Sequence, residues 1–349
     1  MTPVVLLTGF LGSGKTTLLQ RLLQDPSMAG AAVLINEFGE VGLDHHLLDR
    51  IDDNVVLLKS GCICCTVRGE VADALSNLDS LRARGEIAFD RVVIETTGLA
   101  DPYPVLQTLT AHPVLRSHFT NGGVLTTVDA VNARLQVEHR AEAVRQIAAA
   151  DRIVLTKTDL AEPGEDQALR DRLARINPAA RIMTTQEPVE TILGGFGPAA
   201  FAAALVTQEA HSCGPACDHE GHDHPHHHHH AHSHHNAAHH DEALGVTSFS
   251  LVIEGEIDWT MFGTWLTLLL HKHGDRIFRV KGILALKGED KPIAIHGVQH
   301  LVHAPTHMTH WPDGPRQSRI VFILEGLSPE QIRRSFAAFT GLSGVRAAA

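Results

Sequence analysis

Residues 4–23 read "VVLLTGFLGSGKTTLLQRLL". Val4 to Gly9 is an uncharged, β-branched run that suits a buried strand. Leu18, Leu19, Leu22 and Leu23 recur at helical spacing. Between the two, Gly9 to Thr16 spells G-x-x-x-x-G-K-T, a phosphate-binding loop in the context that such a loop requires. Its glycines let backbone N–H groups converge on phosphate oxygens, and the helix N-terminus adds positive potential. Gly12, Ser13, Gly14, Lys15, Thr16 and Thr17 are therefore candidate nucleotide contacts. Lys15 reaches the outer phosphates in this geometry, and the Thr16 hydroxyl suits Mg²⁺.

Working outward, β-like runs alternate with helix-compatible segments to about residue 205. The runs are 31–37, 55–60, 91–98, 123–130, 152–159 and 180–185, with helical patterns such as 69–84 and 139–149 between them. This alternation predicts a doubly wound, mostly parallel α/β sheet. Residues 208–244 break the pattern. They include "CDHEGHDHPHHHHHAHSHH" and hold more than half of the chain's 26 histidines. Such a tract cannot bury an apolar face and reads as a disordered linker with weak capacity for transition metals. Cys213 and Cys217 add a loosely spaced thiol pair there. From 245 onward, strand, helix, three strands (245–255, 275–288, 291–304 and 318–326, with a helix after Asp258) and a last helix from Ser328 predict a small α+β domain. The expected division is 1–207, 208–244 and 245–349. On the 258–273 helix, Trp259 and Trp265 are expected in the core. His296, His300, His303, His307 and His310 lie in or after a strand and read as surface residues as readily as ligands.

Two further segments bear on the nucleotide. "RVVIETTG" (91–98) ends a strand in Glu95, placed to support Mg²⁺ or a water, with Gly98 poised to sense the γ-phosphate. "LTKTD" (155–159) offers Asp159, whose carboxylate can accept from guanine N1–H and N2–H₂ together. Adenine would leave that charge unpaired, at a cost of a few kcal/mol. Lys157 packs its stem along the base, and Thr156 stands where asparagine is usual. GTP is read over ATP.

"SGCICCTVRGE" (60–70) places Cys62, Cys64 and Cys65 within four positions. No basic leader precedes the first strand, and no run approaches the ~20 apolar residues of a membrane span. The chain is therefore expected in the cytoplasm, where clustered thiols indicate metal or catalysis more than disulfides. No histidine motif beside them suggests a base for a nucleophile. Soft thiolates suit Zn²⁺, with Co²⁺ or Ni²⁺ also compatible. Three thiolates converge only across a turn, so a two-thiolate site and small buried cysteines both stay open. Glu37, Glu40 and Asp44 in "INEFGEVGLD" (35–44) are carboxylates that could complete a metal shell or touch Mg²⁺. The net charge of -11 disfavours non-specific nucleic-acid binding.

Taken in order, "GFLGSGKTTLL", "INEFGEVGLD", "SGCICCTVRGE", "ETTGLADP" and "TKTDL" resemble the CobW-type family of GTP-dependent metallochaperones, relatives of the nickel-inserting GTPases of hydrogenase and urease. The resemblance covers about residues 3–205, and the remainder looks like the family's smaller second domain. It implies a GTPase of the signal-recognition/MinD-like class. Lys15, Thr16 and Asp159 take nucleotide roles, and Cys62, Cys64 and Cys65 take the metal role. It further implies a metal-requiring client protein and leaves a homo-oligomer open. Three rivals remain: a cobalt chaperone for cobalamin synthesis, a P-loop small-molecule kinase with a metal-buffering tract, and a nucleotide-independent metal store.

Overall fold

The computed structural model describes residues 1–35, 56–59, 67–162, 165–194, 196, 239–241, 245–312 and 315–348. The amino-terminal half is a seven-stranded sheet built from β1 (Thr2–Gly9), β2 (Ala31–Ile35), β3 (Val56–Lys59), β4 (Arg91–Glu95), β5 (Phe119–Asp129), β6 (Arg152–Thr156) and β7 (Arg181–Thr184). Their order is β3-β2-β4-β1-β5-β6-β7, and every pairing is parallel. The expected doubly wound parallel architecture is thus observed. All seven strands deliver the chain to one edge of the sheet, the edge at which open α/β sheets bind ligands.

Both faces of the sheet are covered. On one, α1 (Lys15–Leu23) seats Leu18, Leu19 and Leu22 against Val5, Leu7, Val33 and Val154. On the other lie α2 (Val67–Ala83), α3 (Tyr103–Ala111), α4 (Leu115–His118), α5 (Ala133–His139), α6 (Ala141–Ala149) and α7 (Glu165–Ile176). A short α8 (Val189–Leu193) returns to the α1 side. Helix α3 escapes a reading by periodicity because "DPYP" precedes and opens it. Yet Pro102 caps it and Pro104 sits in its first turn, where a missing N–H costs nothing. Arg140, in extended conformation, separates α5 from α6, so the expected 139–149 helix starts at Ala141 as α6.

The second unit is an antiparallel sheet of β8 (His239–Asp241), β9 (Val246–Ile253), β10 (Ile277–Leu284), β11 (Ile293–Val298), β12 (Leu301–Val302), β13 (Thr306–His307), β14 (Ser318–Glu325) and β15 (Val345–Ala348). Two differences from expectation stand out. The run 291–304 is not one strand: Gln299, at φ 50°, turns it so that β11 and β12 pair as a hairpin. Most of 208–244 lies outside the described residues, but 239–241 pairs with β9 rather than continuing as linker.

Helices α9 (Trp259–His273) and α10 (Pro329–Thr340) cover one face of this sheet. Asp258 caps α9 by accepting from the Met261 N–H at 3.1 Å. Phe262, Trp265, Leu266, Ile332 and Phe336 then pack on Phe249, Leu251 and Phe322. Trp265 is core as expected, whereas Trp259 is 43 % exposed.

The sheet's other face packs against α3, α6 and α7 of the first unit, joining Val246, Phe278, Val298 and Ile323 to the first unit's core. A register shift between Ile277 and Arg279 lets two consecutive residues of β10 face that way, which strict alternation forbids. Phe278 stacks on Tyr103 with ring centroids 6.0 Å apart. Arg279 and Lys281 both pair with Asp151, at the start of β6. No helix among the described residues is long and apolar enough to cross a membrane.

His296 and His303 line this interface and are partly buried rather than open to solvent. Burial, with Lys281 and Arg279 outweighing Asp151, pushes His296 down to about 3 and lowers His303 too. The sign follows from that direction. The native imidazole stays neutral, while the unfolded chain takes up a proton below about pH 6.5. The unfolded state then binds more protons, so stability falls as pH drops from about 6.5 and is flat above it. Denaturant titrations at pH 7 and pH 5 are expected to differ by roughly 0.5–1 kcal/mol per pH unit for this partly exposed ring. His296→Gln should flatten that slope; an unaltered slope would assign the acid sensitivity elsewhere.

Candidate nucleotide site and relatives

The loop between β1 and α1 folds as a phosphate cradle. Gly12 and Gly14 have φ of 72° and 81°, a left-handed conformation that glycine adopts without steric cost. Ser13 N–H bonds Phe10 O at 3.1 Å, closing the turn that points the start of α1 at the loop. Lys15, Thr16 and Thr17 begin that helix, with Thr17 exposed. Lys15 is 9 % exposed, and its ammonium donates to Gly9 O at 2.9 Å and Phe10 O at 3.3 Å. Burial lowers its pKa and the nearby Glu95 carboxylate works in the opposite direction.

β4 and β1 are neighbours in register, Leu7 opposite Glu95, so the end of β4 brings Glu95 beside the loop. The Thr16 hydroxyl donates to Glu95 Oε1 at 2.6 Å. A hydroxyl and a carboxylate oxygen at the rim of a phosphate cradle are the hard donor set that Mg²⁺ accepts. Glu95 is itself 4 % exposed, so water competes little for that position. Gly98 lies against the loop. A Cβ there would come within 2.7 Å of the Leu11 backbone, so no other residue fits without displacing the cradle. Gln146 of α6 holds this segment by donating to Gly98 O at 3.2 Å and Ala100 O at 3.1 Å.

The end of β6 forms the third side. Thr156 Oγ1 donates to Ser13 O at 2.9 Å, so the residue that replaces the usual asparagine still ties this strand to the loop. Lys157, at φ 55°, donates to Gly12 O at 2.8 Å and to Asp129 Oδ2 at 2.7 Å. That left-handed backbone costs a non-glycine residue about 1 kcal/mol, and these contacts hold it. Asp159 is solvent-exposed two residues on.

The structure therefore brings Gly12, Ser13, Gly14, Lys15, Thr16, Glu95, Gly98, Thr156 and Lys157 to one edge. Sequence reasoning missed Asp129, Thr127 and Gln146. Thr127 Oγ1 lies 2.7 Å from Ser13 Oγ. The acid ending "LTTVD" is a signal of the same kind as Glu95, but nothing local shows what it faces. Cys62, Cys64, Cys65, Glu37, Glu40 and Asp44 lie outside the described residues. Among the described residues, no cluster of His, Cys, Asp and Glu is arranged to hold a metal ion.

A family model described as "CobW/HypB/UreG, nucleotide-binding domain" matches residues 3–184, more than half of the chain. The chain belongs to the CobW/HypB/UreG family. A second model, "Cobalamin synthesis protein cobW C-terminal domain", matches residues 246–340. The chain is 36 % identical over 334 residues to the zinc chaperone YjiA of Escherichia coli (strain K12), covering 96 % of this chain and 97 % of that protein. The crystal structure of Zn(II)-bound YjiA GTPase from E. coli superposes with a TM-score of 0.70 at 32 % identity, covering 97 % of this chain and 99 % of that one. The zinc-regulated GTPase metalloprotein activator 1 of Schizosaccharomyces pombe is 36 % identical over 190 residues, 52 % of this chain and 45 % of that protein.

Proposed function

We propose that this protein is a GTP-driven zinc chaperone: it hydrolyses GTP, binds zinc through Cys62, Cys64 and Cys65, and hands the ion to a metal-requiring client. The observation that carries the reading is topological. β3 ends at Lys59, three residues before Cys62, on the same sheet edge as the phosphate loop. Three inter-strand steps separate β3 from β1, or about 15 Å. A segment leaving β3 therefore starts within reach of the nucleotide's outer phosphates. Relatives named as zinc chaperones and as a GTPase metalloprotein activator support both halves of the reading. They favour zinc over cobalt, and they favour hydrolysis over phosphoryl transfer to a small molecule.

In this reading the loop amides and Lys15 bind the triphosphate. Thr16 and Glu95 would hold Mg²⁺, whose charge would offset that of the phosphates. The Gly98 amide senses the γ-phosphate, and the segments around Glu37 and Cys62–Cys65 are ordered only while it is present, an order–disorder switch of the kind P-loop GTPases use. The zinc-binding segment closes with it, with Glu37 as a further ligand, and zinc is released on hydrolysis. Reciprocity then requires zinc to tighten GTP binding as much as GTP tightens zinc binding. The clustered thiols point to the reducing cytoplasm as the place of work.

Chelator-competed zinc titration is the test. Affinity should be at least about tenfold tighter with a non-hydrolysable GTP analogue than with GDP, a coupling of the usual allosteric size. Cys64→Ala with Cys65→Ala should abolish tight zinc binding while nucleotide binding persists. Equal affinities in the two nucleotide states would remove the coupling. Cobalt bound in preference to zinc would replace the cargo, and a phosphorylated acceptor in place of free phosphate would replace the reaction.

A further inference from the structure

We infer that Asp129 is a positioning residue for nucleotide binding, acting through Lys157 to lock the base-side segment to the phosphate loop. The inference rests on reading residues 156–159 as that segment. Asp129 closes β5, the strand between β1 and β6, so it stands between the two nucleotide-facing stretches of chain. Its side chain is only 2 % exposed, yet it accepts from four donors. Oδ1 takes the backbone N–H of Val131 at 2.9 Å and of Asn132 at 3.2 Å. Oδ2 takes Asn132 Nδ2 at 2.9 Å and the Lys157 ammonium at 2.7 Å.

The division of labour between the two oxygens matters. Oδ1 shapes the turn after β5, and Oδ2 holds the lysine. Burial alone would raise the acid's pKa, but the bonds from Lys157 and Asn132 keep it below the ordinary carboxylate value. A full negative charge therefore faces Lys157 at neutral pH. The lysine spans two partners, Asp129 Oδ2 and Gly12 O, and it does so from a left-handed backbone. Neither partner alone fixes a long, flexible ammonium side chain that remains 37 % exposed. Held between both, its stem has one path, along the gap between the β6 end and the loop. A nucleotide entering that gap meets a wall already in place, so ordering the lysine costs no further entropy on binding.

Asp129→Asn separates the two oxygens' roles. The amide oxygen can still accept from Val131 and Asn132, so the turn survives. The amide nitrogen replaces Oδ2 and turns a donor toward two donors. Because Lys157 is part-exposed, water can solvate the released ammonium, and the chain is expected to fold.

The test is a double-mutant cycle in the full-length chain with KM and kcat for GTP hydrolysis as readouts. Asp129→Asn should raise KM about tenfold, the scale of one charge-assisted hydrogen bond, with kcat within about threefold. In a Lys157→Met background the same change should move KM less than about twofold. Asn132→Ala, which strips only the turn's side-chain bond, should leave KM within about twofold. An unchanged KM in Asp129→Asn overturns the inference. So does an equal KM rise with and without Lys157, or a chain that no longer folds, since either assigns Asp129 to the turn alone. The base reading is scored separately with Asp159→Asn on GTP against XTP. A shift toward xanthine supports it; unchanged guanine preference sinks it, and the coupling of Asp129 to Lys157 is still read from triphosphate KM.

Discussion

Lys15→Ala is expected to lower kcat/KM for GTP by about 10²–10³-fold, the usual loss when one preorganised donor to a developing phosphate charge is removed. The ammonium rests on Gly9 O and Phe10 O, inside the turn where phosphate oxygens would lie. Those carbonyls are weak compensation for a nearly buried charge, which is why burial depresses the lysine's pKa. A triphosphate offers the ammonium anionic acceptors stronger than those carbonyls. The substitution removes a costly buried charge from the free protein, so the thermal midpoint should hold or rise while hydrolysis collapses. Phosphate release under saturating Mg²⁺ and a melting curve on the same preparation check both parts. Activity within about threefold of the parent would mean that another cation carries the phosphates.

Asp151→Ala should give the largest stability loss of any single change outside the two cores. The carboxylate is 11 % exposed and faces both Arg279 and Lys281, themselves 7 % and 4 % exposed. It also accepts from the Val124 N–H at 2.9 Å, which ties it to β5. Burial opposes its charge, yet the two cations and this bond drive its pKa far below the ordinary carboxylate range. The Lys281 pKa is pushed down as well, to about 8, by burial and by Arg279 beside it. Removing the anion leaves two buried cations facing each other, a situation that costs about 3–5 kcal/mol. For a chain of 349 residues that is about 4–7 °C in thermal midpoint. Because the cluster joins the two units, the expected melting profile also splits into two transitions. A single transition within 2 °C or so of the parent would show that apolar packing around Tyr103 and Phe278 holds the units together unaided.

The two sites differ in how far they can be read without coordinates. The phosphate loop is local: strand, glycines, lysine and helix follow one another, and their spacing constrains the backbone directly. Glu95 and the 156–159 segment are legible for a related reason, since each ends a β-like run and parallel strands end together. Asp258 is likewise a local cap, and its bond to the Met261 N–H follows from the chain itself. Asp129 ends a strand in the same way, but its meaning lies in Lys157, 28 residues on. Asp151 looks like a loop acid until β10 arrives from the other end of the chain.

The failures have physical causes as well. Helix α3 is hidden because proline reads as a breaker unless it falls in the first turn. The β11–β12 hairpin is hidden because Gln299 and His300, which make its turn, are not residues that announce one. His296 and His303 read as surface residues because alternation along a strand shows two faces but not what covers each.

From its sequence alone this protein was already a P-loop protein with a parallel sheet, an acidic strand end beside the loop and a second unit after a histidine tract. Those features depend on residues close together in the chain, where covalent geometry leaves few alternatives. Only the tertiary structure decided that the second sheet lies on α3, α6 and α7, that Asp151 joins the units, and that Asp129 holds Lys157 to Gly12. Those pairings join residues far apart in sequence, and side-chain chemistry at one end carries no record of which distant partner the fold will supply.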